Sequence, residues 1–193
     1  MGLTAFVARG IGYLVMTVVL EVPSRAQALA FNRKRWAEVL EDRELAEWPG
    51  KVETNRHGEV LMMPPATGDH SSRQSSILLE LHRLLGGRPL PECPISTVDG
   101  VRAADVGWYS ESRFAKVAGQ LVFEVAPEIC VEVQSPSNTK RQLAEKRRLY
   151  FEAGAEEVWV CDLEGRLRFF HDAAPDVEKE LSNRCPGFPE VVD

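Results

Sequence analysis

The sequence predicts a mixed β-sheet flanked by α-helices, in the α/β or α+β class. A chain of 193 residues is long enough for one domain with a sizeable core. Its hydrophobic periodicity changes along the central part in the order helix, strand, strand, strand, helix, strand, with a further helix and hairpin added before it. No repeat and no Gly/Ser/Pro-rich linker divides the chain. We therefore expect a single domain over residues 16–193.

The first residues raise a separate question. Residues 11–20 (IGYLVMTVVL) form an apolar run too short to span a bilayer as a helix. The run has the rough shape of a secretory signal, but only one positive side chain, Arg9, precedes it. The preferred alternative is that translation starts at Met16 and that residues 1–15 are an upstream extension or disordered. No other targeting or transmembrane segment is visible, so we predict a cytoplasmic protein without a membrane partner.

Two helices and a hairpin are predicted in the first half. Near-helical spacing of apolar residues predicts a helix over 31–47, which ends before Pro49-Gly50. Two short runs around a polar turn predict a hairpin of strands 51–54 and 59–63. An apolar stripe at i, i+1, i+4, i+7 and i+8 predicts an amphipathic helix over 70–85.

The remaining elements form the predicted centre of the sheet. Strands 92–98 and 101–110 are joined by Asp-Gly, a strong hairpin signal, and a charged irregular connection follows. An apolar run predicts a strand over 128–134, and an amphipathic pattern predicts a helix over 138–153. A strand over 157–162 then begins a last hairpin, whose second arm is LRFFH.

Charge and cysteine content exclude some functions. The formal net charge of -6 argues against a protein that coats nucleic acid by bulk attraction, but permits an enzyme with a local basic groove. The four cysteines are far apart and form neither a zinc motif nor a disulfide framework. Cys130 and Cys161 lie in apolar runs, where we expect buried free thiols, as suits a reducing compartment.

Two acids interrupt the predicted central strands. Asp105 and Glu132 each lie among small or apolar residues, and Gln134 points to the same side as Glu132 because side chains alternate along a strand. Lys146 lies on the inward stripe of the following helix, where an unpaired lysine would be unusual. Tyr150, one turn on, is expected to pack in the core.

Two carboxylates and a lysine can form a hard-cation site. Oxygen ligands suit Mg²⁺ or Mn²⁺, which polarise a phosphate and lower the pKa of bound water. Lys146 would orient that water or stabilise phosphate charge. The alternative is a structural ion pair of Lys146 with Glu132 or Asp105 and no metal, and the spacing alone does not separate the two.

Several segments of the chain form a recognisable set, namely AFNRKRW, ETNRHGEV, MPP with the following His70, PECPIS, RAADV, EICVEVQSPSNT and EKRRLYFEAGAEEVWVCD. Together they resemble the Uma-type family of restriction endonucleases, in the restriction-endonuclease-like superfamily with the PD-(D/E)XK signature. The resemblance spans roughly residues 17–170. It implies a core of helix, three strands, helix and strand.

The resemblance also implies roles for individual residues. It assigns Asp105 to the signature aspartate and Glu132 to the second acid. Ala104 replaces the signature proline, and Gln134 replaces the signature lysine. In this family the lysine is expected on the following helix, which fits Lys146, while Gln134 could hold water or phosphate through its amide.

Three further residues are singled out by the resemblance. Glu53 could be a third metal ligand, an acid behind the ligands, or a plain exposed strand residue. His70 could contact phosphate or only cap its helix, and Gln74 is the weaker candidate one turn on.

Basic residues on the helix over 138–153 could form a phosphate track, with a solvated helix face as the alternative. These residues are Lys140, Arg141, Arg147 and Arg148.

The sequence thus predicts a Mg²⁺- or Mn²⁺-dependent endonuclease that hydrolyses phosphodiester bonds of DNA. The alternative is a catalytically silent module that binds nucleic acid or another partner on the same fold. RNA or another phosphate ester could also be the substrate, because a fold does not fix a substrate. Pairing of two copies as a homodimer remains open.

Overall fold

The computed structural model describes residues 4–10, 13–19 and 23–193. The predicted start at Met16 and the predicted extension over residues 1–15 stay predictions, and part of that extension, residues 1–3 and 11–12, lies outside the described residues. The helices in chain order are α1 (Arg25–Glu41), α2 (Arg43–Ala46), α3 (Gly68–Leu85), α4 (Glu111–Phe114) and α5 (Lys140–Glu152). The strands are β1 (Thr4–Gly10), β2 (Tyr13–Val19), β3 (Val52–Thr54), β4 (Val60–Met62), β5 (Arg88–Thr97), β6 (Gly100–Tyr109), β7 (Ile129–Val133), β8 (Glu157–Cys161), β9 (Leu167–His171) and β10 (Ala174–Lys179).

A six-stranded mixed sheet organises the molecule, in the order β10-β9-β8-β7-β6-β5. Strands β7 and β8 are parallel, and every other neighbouring pair is antiparallel. Helix α5 makes the crossover that a parallel pair requires. The predicted mixed sheet and its central order of elements are therefore confirmed. Strands β1 with β2, and β3 with β4, form separate antiparallel pairs.

Helices cover both faces of the sheet. On one face, Ile77 of α3 belongs to the same buried cluster as Trp159 of β8. On the other face, Tyr150 of α5 belongs to a cluster with Cys130 of β7. All four cysteines are free and buried, which confirms the interpretation of Cys130 and Cys161 as buried thiols. Among the described residues, no helix combines the length and the apolar character needed to cross a bilayer.

The prediction of one helix over 31–47 is wrong, because local capping divides this segment differently. Ser24 and Gln27 form a capping box, in which the Ser24 hydroxyl accepts from the Gln27 N–H and the Gln27 side chain accepts from the Ser24 N–H, so α1 begins earlier. Asp42 then adopts an extended conformation and caps α2 through its carboxylate. The apolar periodicity continues across Asp42 and hides this break.

Four elements of the structure were not predicted: β1, β2, β10 and α4. Strand β10 is mostly exposed, so its sequence APDVEK lacks the alternation that marks a half-buried strand. Helix α4 is a single turn, begun by a hydrogen bond from the Arg113 N–H to the Ser110 hydroxyl, within the segment expected to be irregular.

The β3–β4 hairpin docks against β6 through side chains of β3 and the residue before it. The Val101 N–H donates to the Thr54 hydroxyl at 3.0 Å, and the Ala103 N–H donates to the Glu53 carboxylate at 3.0 Å. Lys51 donates from Nζ to the Ala103 carbonyl at 3.1 Å. Docking of the hairpin therefore brings Lys51 and Glu53 to the centre of the sheet.

The turn between β5 and β6 depends on Gly100. Its φ is +92°, and a Cβ at this position would lie 2.2 Å from the Thr54 carbonyl oxygen. We expect Gly100→Ala to lower the free energy of unfolding by about 3 kcal/mol, because conformational strain adds to a backbone clash. Urea denaturation measures the loss.

Gly119→Ala is the matched control for this prediction. Gly119 also has a positive φ, of +81°, but nothing lies within 4 Å of its would-be Cβ. Its substitution therefore reports strain alone, about 1 kcal/mol. Equal losses for the two variants would show that contact between Gly100 and the β3–β4 hairpin contributes nothing.

Candidate functional site

Asp105 lies in β6, is buried, and is engaged at both carboxylate oxygens. Oδ2 accepts the Val133 N–H at 2.6 Å, which ties Asp105 to the end of β7. Oδ1 accepts a hydrogen bond from Nζ of Lys51. His70 of α3 places Nε2 3.4 Å from Oδ2. A carboxylate buried to this degree needs such partners, because burial of an unpaired charge is costly.

Glu132 lies in β7, beside Asp105, because β6 and β7 pair with Val106 opposite Val131. Its Oε2 accepts from Nζ of Lys146 at 3.0 Å. Its Oε1 accepts from the Tyr150 hydroxyl at 2.6 Å. Lys146 therefore reaches the buried acid from α5, as its helical position predicts.

Glu53 is the third buried acid of the cluster. Its Oε1 accepts from Nζ of Lys146 at 2.8 Å and from the Ala103 N–H at 3.0 Å. Its Oε2 accepts from Nη1 of Arg102 at 3.3 Å. Glu53 is thus not the exposed strand residue considered as an alternative, and Lys146 bridges it to Glu132.

The two central acids differ in their electrostatics. Burial raises the pKa of Glu132 above its ordinary value, although the positive charge of Lys146 offsets part of this effect. Burial acts in the same direction on Asp105, but the charge of Lys51 and the hydrogen bond from His70 outweigh it and hold the pKa well below its usual range. Neighbouring carboxylates with pKa values pushed apart are a frequent feature of acid–base and metal sites.

A cavity of about 850 Å³ opens onto these charges. Its volume lies in the range of small-molecule and cofactor sites. One wall is apolar and includes Val39 and Leu45 of the first two helices. The polar lining consists of Lys51, Thr67, His70, Ser71, Gln74, Glu92, Asp105, Glu132, Ser135, Ser137, Asn138 and Lys146.

His70 and Gln74 both lie in the site, but as neighbours of acids. His70 contacts the Asp105 carboxylate. Gln74 donates from Nε2 to the Asp105 backbone carbonyl at 2.7 Å and to Glu92 at 2.9 Å. Their predicted contacts with phosphate stay predictions.

Three predicted site residues are not gathered around the acids. Gln134 follows the end of β7, where its N–H donates to the Cys161 carbonyl at 2.8 Å. Among the residues that the structure describes, Gln134 is not one of those that line the cavity. Lys140 and Arg141 are exposed at the start of α5. Arg141 instead lines a separate pocket of about 400 Å³, together with Arg147 and Arg148.

Three residues of the site, Lys51, Tyr150 and Glu92, were not predicted to take part in it. Lys51 and Glu53 are two residues apart on one face of a strand, so the alternation in KVET could have indicated Lys51 once Glu53 was suspected. Tyr150 packs in the core as predicted, yet its hydroxyl also bonds Glu132. No sequence pattern marks Glu92, which reaches the site from β5.

The chemistry of the donors fits Mg²⁺ or Mn²⁺ at Asp105 and Glu132. Both are carboxylates that line the cavity, and Mg²⁺ commonly needs only one or two protein carboxylates beside water and phosphate. Glu53 is the weaker ligand candidate, because it does not line the cavity, whereas Asp105 and Glu132 do. Within the part of the chain that the structure describes, no three His, Cys, Asp or Glu side chains are grouped to hold a metal ion.

Comparisons with known proteins agree with this fold. A solved structure titled "putative nuclease belonging to DUF820", from Anabaena variabilis ATCC 29413, shares 20% sequence identity with a TM-score of 0.60. The match covers 75% of this chain and 82% of that chain, and at this identity it concerns the fold alone. No curated protein matches the sequence. The sequence profile of the Uma2 family, described as "Putative restriction endonuclease", matches residues 40–184, so the chain belongs to the Uma2 family.

Proposed function

We propose that the protein is a metal-dependent nuclease that hydrolyses phosphodiester bonds of DNA. The observation that carries this proposal is the pair of buried acids, Asp105 and Glu132, on adjacent strands that line one cavity. Membership of the Uma2 family, whose description is "Putative restriction endonuclease", supports it.

Asp105 and Glu132 would hold Mg²⁺ or Mn²⁺ through their carboxylate oxygens. When bound, such an ion supplies Lewis-acid polarisation of phosphate and a lowered pKa for water. Burial favours this role, because a carboxylate that is poorly solvated gains more from a cation than an exposed one does. Tyr150 holds one oxygen of Glu132 and so orients the other toward Lys146.

Lys146 supplies the cationic group that the signature lysine would provide. Burial would lower the pKa of Lys146, but the charges of Glu132 and Glu53 outweigh it and raise the pKa, so the group stays an ammonium. Its Nζ can donate to an attacking water or to a phosphate oxygen beside the two acids. Glu53 fixes the ammonium from the opposite side and acts as a positioning residue.

The other predicted site residues would position Asp105 or contact the DNA backbone. His70 and Gln74 hold Asp105 in place through its carboxylate and its backbone. Lys140 and Arg141 are exposed and would contact the DNA backbone away from the acids. Gln134 would assist only if its side chain turned into the cavity.

A silent module is the second candidate, and one observation favours it. Each buried acid already has an internal cation, Lys51 for Asp105 and Lys146 for Glu132 and Glu53, and Arg102 also contacts Glu53, so most of the acidic charge is compensated without metal. In that case the protein would bind nucleic acid or a partner without cleavage. A cytoplasmic location and a homodimer stay predictions for either candidate.

Incubation with DNA tests the proposal. Supercoiled plasmid, a single-stranded oligonucleotide and RNA are each incubated with the protein in Mg²⁺, Mn²⁺ or EDTA. We expect cleavage of DNA with either ion and none in EDTA. Cleavage of RNA alone would change the substrate class. Absence of cleavage on all substrates, together with absent Mn²⁺ binding by calorimetry, would favour the silent module.

A further inference from the structure

Lys51 is bound like a small cation inside the site. Its Nζ contacts three oxygens, those of the Asp105 carboxylate, the Ala103 carbonyl at 3.1 Å and the Glu92 carboxylate at 3.1 Å. The contacts with Asp105 and Ala103 are hydrogen bonds, and the contact with Glu92 is an ion pair. The side chain is 15% exposed and lines the cavity. Lys51 therefore occupies one oxygen of a proposed metal ligand.

Glu92, the third partner of Lys51, has an unusual backbone conformation. With a φ of 47°, Glu92 is the one non-glycine residue with positive φ among the described residues, although it lies within β5. Such a conformation is strained and persists only when the surroundings require it, often at functional sites. The side chain is 48% exposed, opposite Asp105 in the register of β5 and β6.

The two lysines of the site differ in what else they can bind. Lys146 holds Glu132 and Glu53, both buried, so it has no acid nearer to solvent among its contacts in the described structure. Lys51 has one buried partner, Asp105, and one half-exposed partner, Glu92. The Lys51 ammonium can therefore move away from Asp105 and still be paired with Glu92.

We propose that Lys51 is the resident counter-ion of Asp105, which a metal ion displaces toward Glu92. This inference rests on the proposed metal site. An ammonium and a divalent cation repel each other strongly when both contact one carboxylate oxygen in a partly buried site, so metal binding favours departure of the ammonium. Glu92 and the Ala103 carbonyl retain the ammonium after it leaves Asp105. Lys51 and Glu92 are thus positioning residues that set the affinity for metal.

Calorimetric titration of the intact chain with Mn²⁺ tests this proposal. We expect Lys51→Met to bind Mn²⁺ at least tenfold more tightly than wild type, because the competing cation is gone. Lys116→Met is the matched control, since Lys116 is exposed and its substitution changes the net charge equally. That variant should stay within twofold of wild type. An affinity of Lys51→Met equal to or below wild type would overturn the proposal.

Glu92→Gln provides a second variant that is expected to fold, because the side chain is half-exposed. It should weaken Mn²⁺ binding about threefold or more, since Lys51 then has no other carboxylate to bind. In the Lys51→Met background the same substitution should change the affinity by less than twofold. An effect of Glu92→Gln that persists in that background would mean that Glu92 contacts the metal directly and would refute the displacement.

The outcomes separate this inference from the proposed function. If wild type binds Mn²⁺ but Lys51→Met does not bind it more tightly, or Glu92→Gln has the same effect with and without Lys51, only the displacement is refuted. Binding that emerges only in Lys51→Met supports displacement, because the internal cation then blocks the site. Absence of binding in wild type and in Lys51→Met, with circular dichroism showing both to be folded, refutes the metal site and the displacement together.

Discussion

Replacing Asp105 by asparagine is expected to reduce Mg²⁺-dependent DNA cleavage by a factor of about a thousand or more. Asparagine keeps the shape of the side chain but removes the charge that neutralises Lys51 and would hold the metal. An amide oxygen is a much weaker ligand for Mg²⁺ than a carboxylate, and loss of one well-placed electrostatic group already costs about 10²–10³ in rate. Glu132→Gln should have an effect of similar size.

The double variant makes this prediction sharper. Because both acids would hold one ion, the two substitutions should not have additive effects. The cleavage rate of the double variant, Asp105→Asn with Glu132→Gln, should lie within about tenfold of the rate of the slower single variant. Single-turnover cleavage of an end-labelled duplex measures all three. Glu111→Gln is the control, since Glu111 is an exposed acid paired with exposed Arg88. Retention of a tenth of wild-type activity by Asp105→Asn would remove Asp105 from the catalytic site.

Removal of Lys146 is expected to cause the largest loss of stability. Lys146→Met keeps a side chain of similar length but leaves Glu132 and Glu53 without the cation that joins them. Breaking a buried ion pair from one side costs about 3–5 kcal/mol, a large part of the 5–15 kcal/mol that stabilises a typical domain. Urea denaturation at pH 7 should show this loss, and Lys116→Met should show almost none.

Two further measurements distinguish charge from packing. Adding Glu132→Gln and Glu53→Gln to Lys146→Met should restore most of the lost stability, because no buried charge is then left unpaired. The pKa of Glu132 is already raised by burial, and loss of Lys146 raises it further, so the folded variant binds protons more tightly than the unfolded chain. Stability of Lys146→Met should therefore increase as the pH falls from 7 to 5. A loss independent of pH and not restored by the glutamines would indicate packing.

The site shows what the sequence could and could not predict. Asp105, Glu132 and Lys146 interrupt an apolar strand or stripe, and this local pattern suffices to identify them. Lys51 follows a turn, and Glu92 lies in the exposed first half of β5, and a charged residue is ordinary at either place. They join the site only because the β3–β4 hairpin and β5 dock beside β6, and contacts between distant segments leave no periodic signal in one sequence.

The accuracy of the predicted element boundaries also depends on how far burial leaves a pattern in the sequence. The central strands were predicted because burial on both faces gives continuous apolar runs. The break of the first helix at Asp42 was missed because a few capping hydrogen bonds decide it, while the apolar spacing continues across it. Strand β10 was missed because its pairing with β9 is irregular and its side chains are exposed.

The docked β3–β4 hairpin has a consequence for when the protein could first become active. Two strands of three residues are too small to be stable alone, so this hairpin forms fully only on the finished sheet. In a copy whose hairpin has not docked, Lys51 and Glu53 are both missing from the site, so Asp105 lacks one cation and Lys146 lacks one of its two acids. Under the proposed function, such a copy would cleave DNA poorly even with Asp105 and Glu132 side by side on β6 and β7.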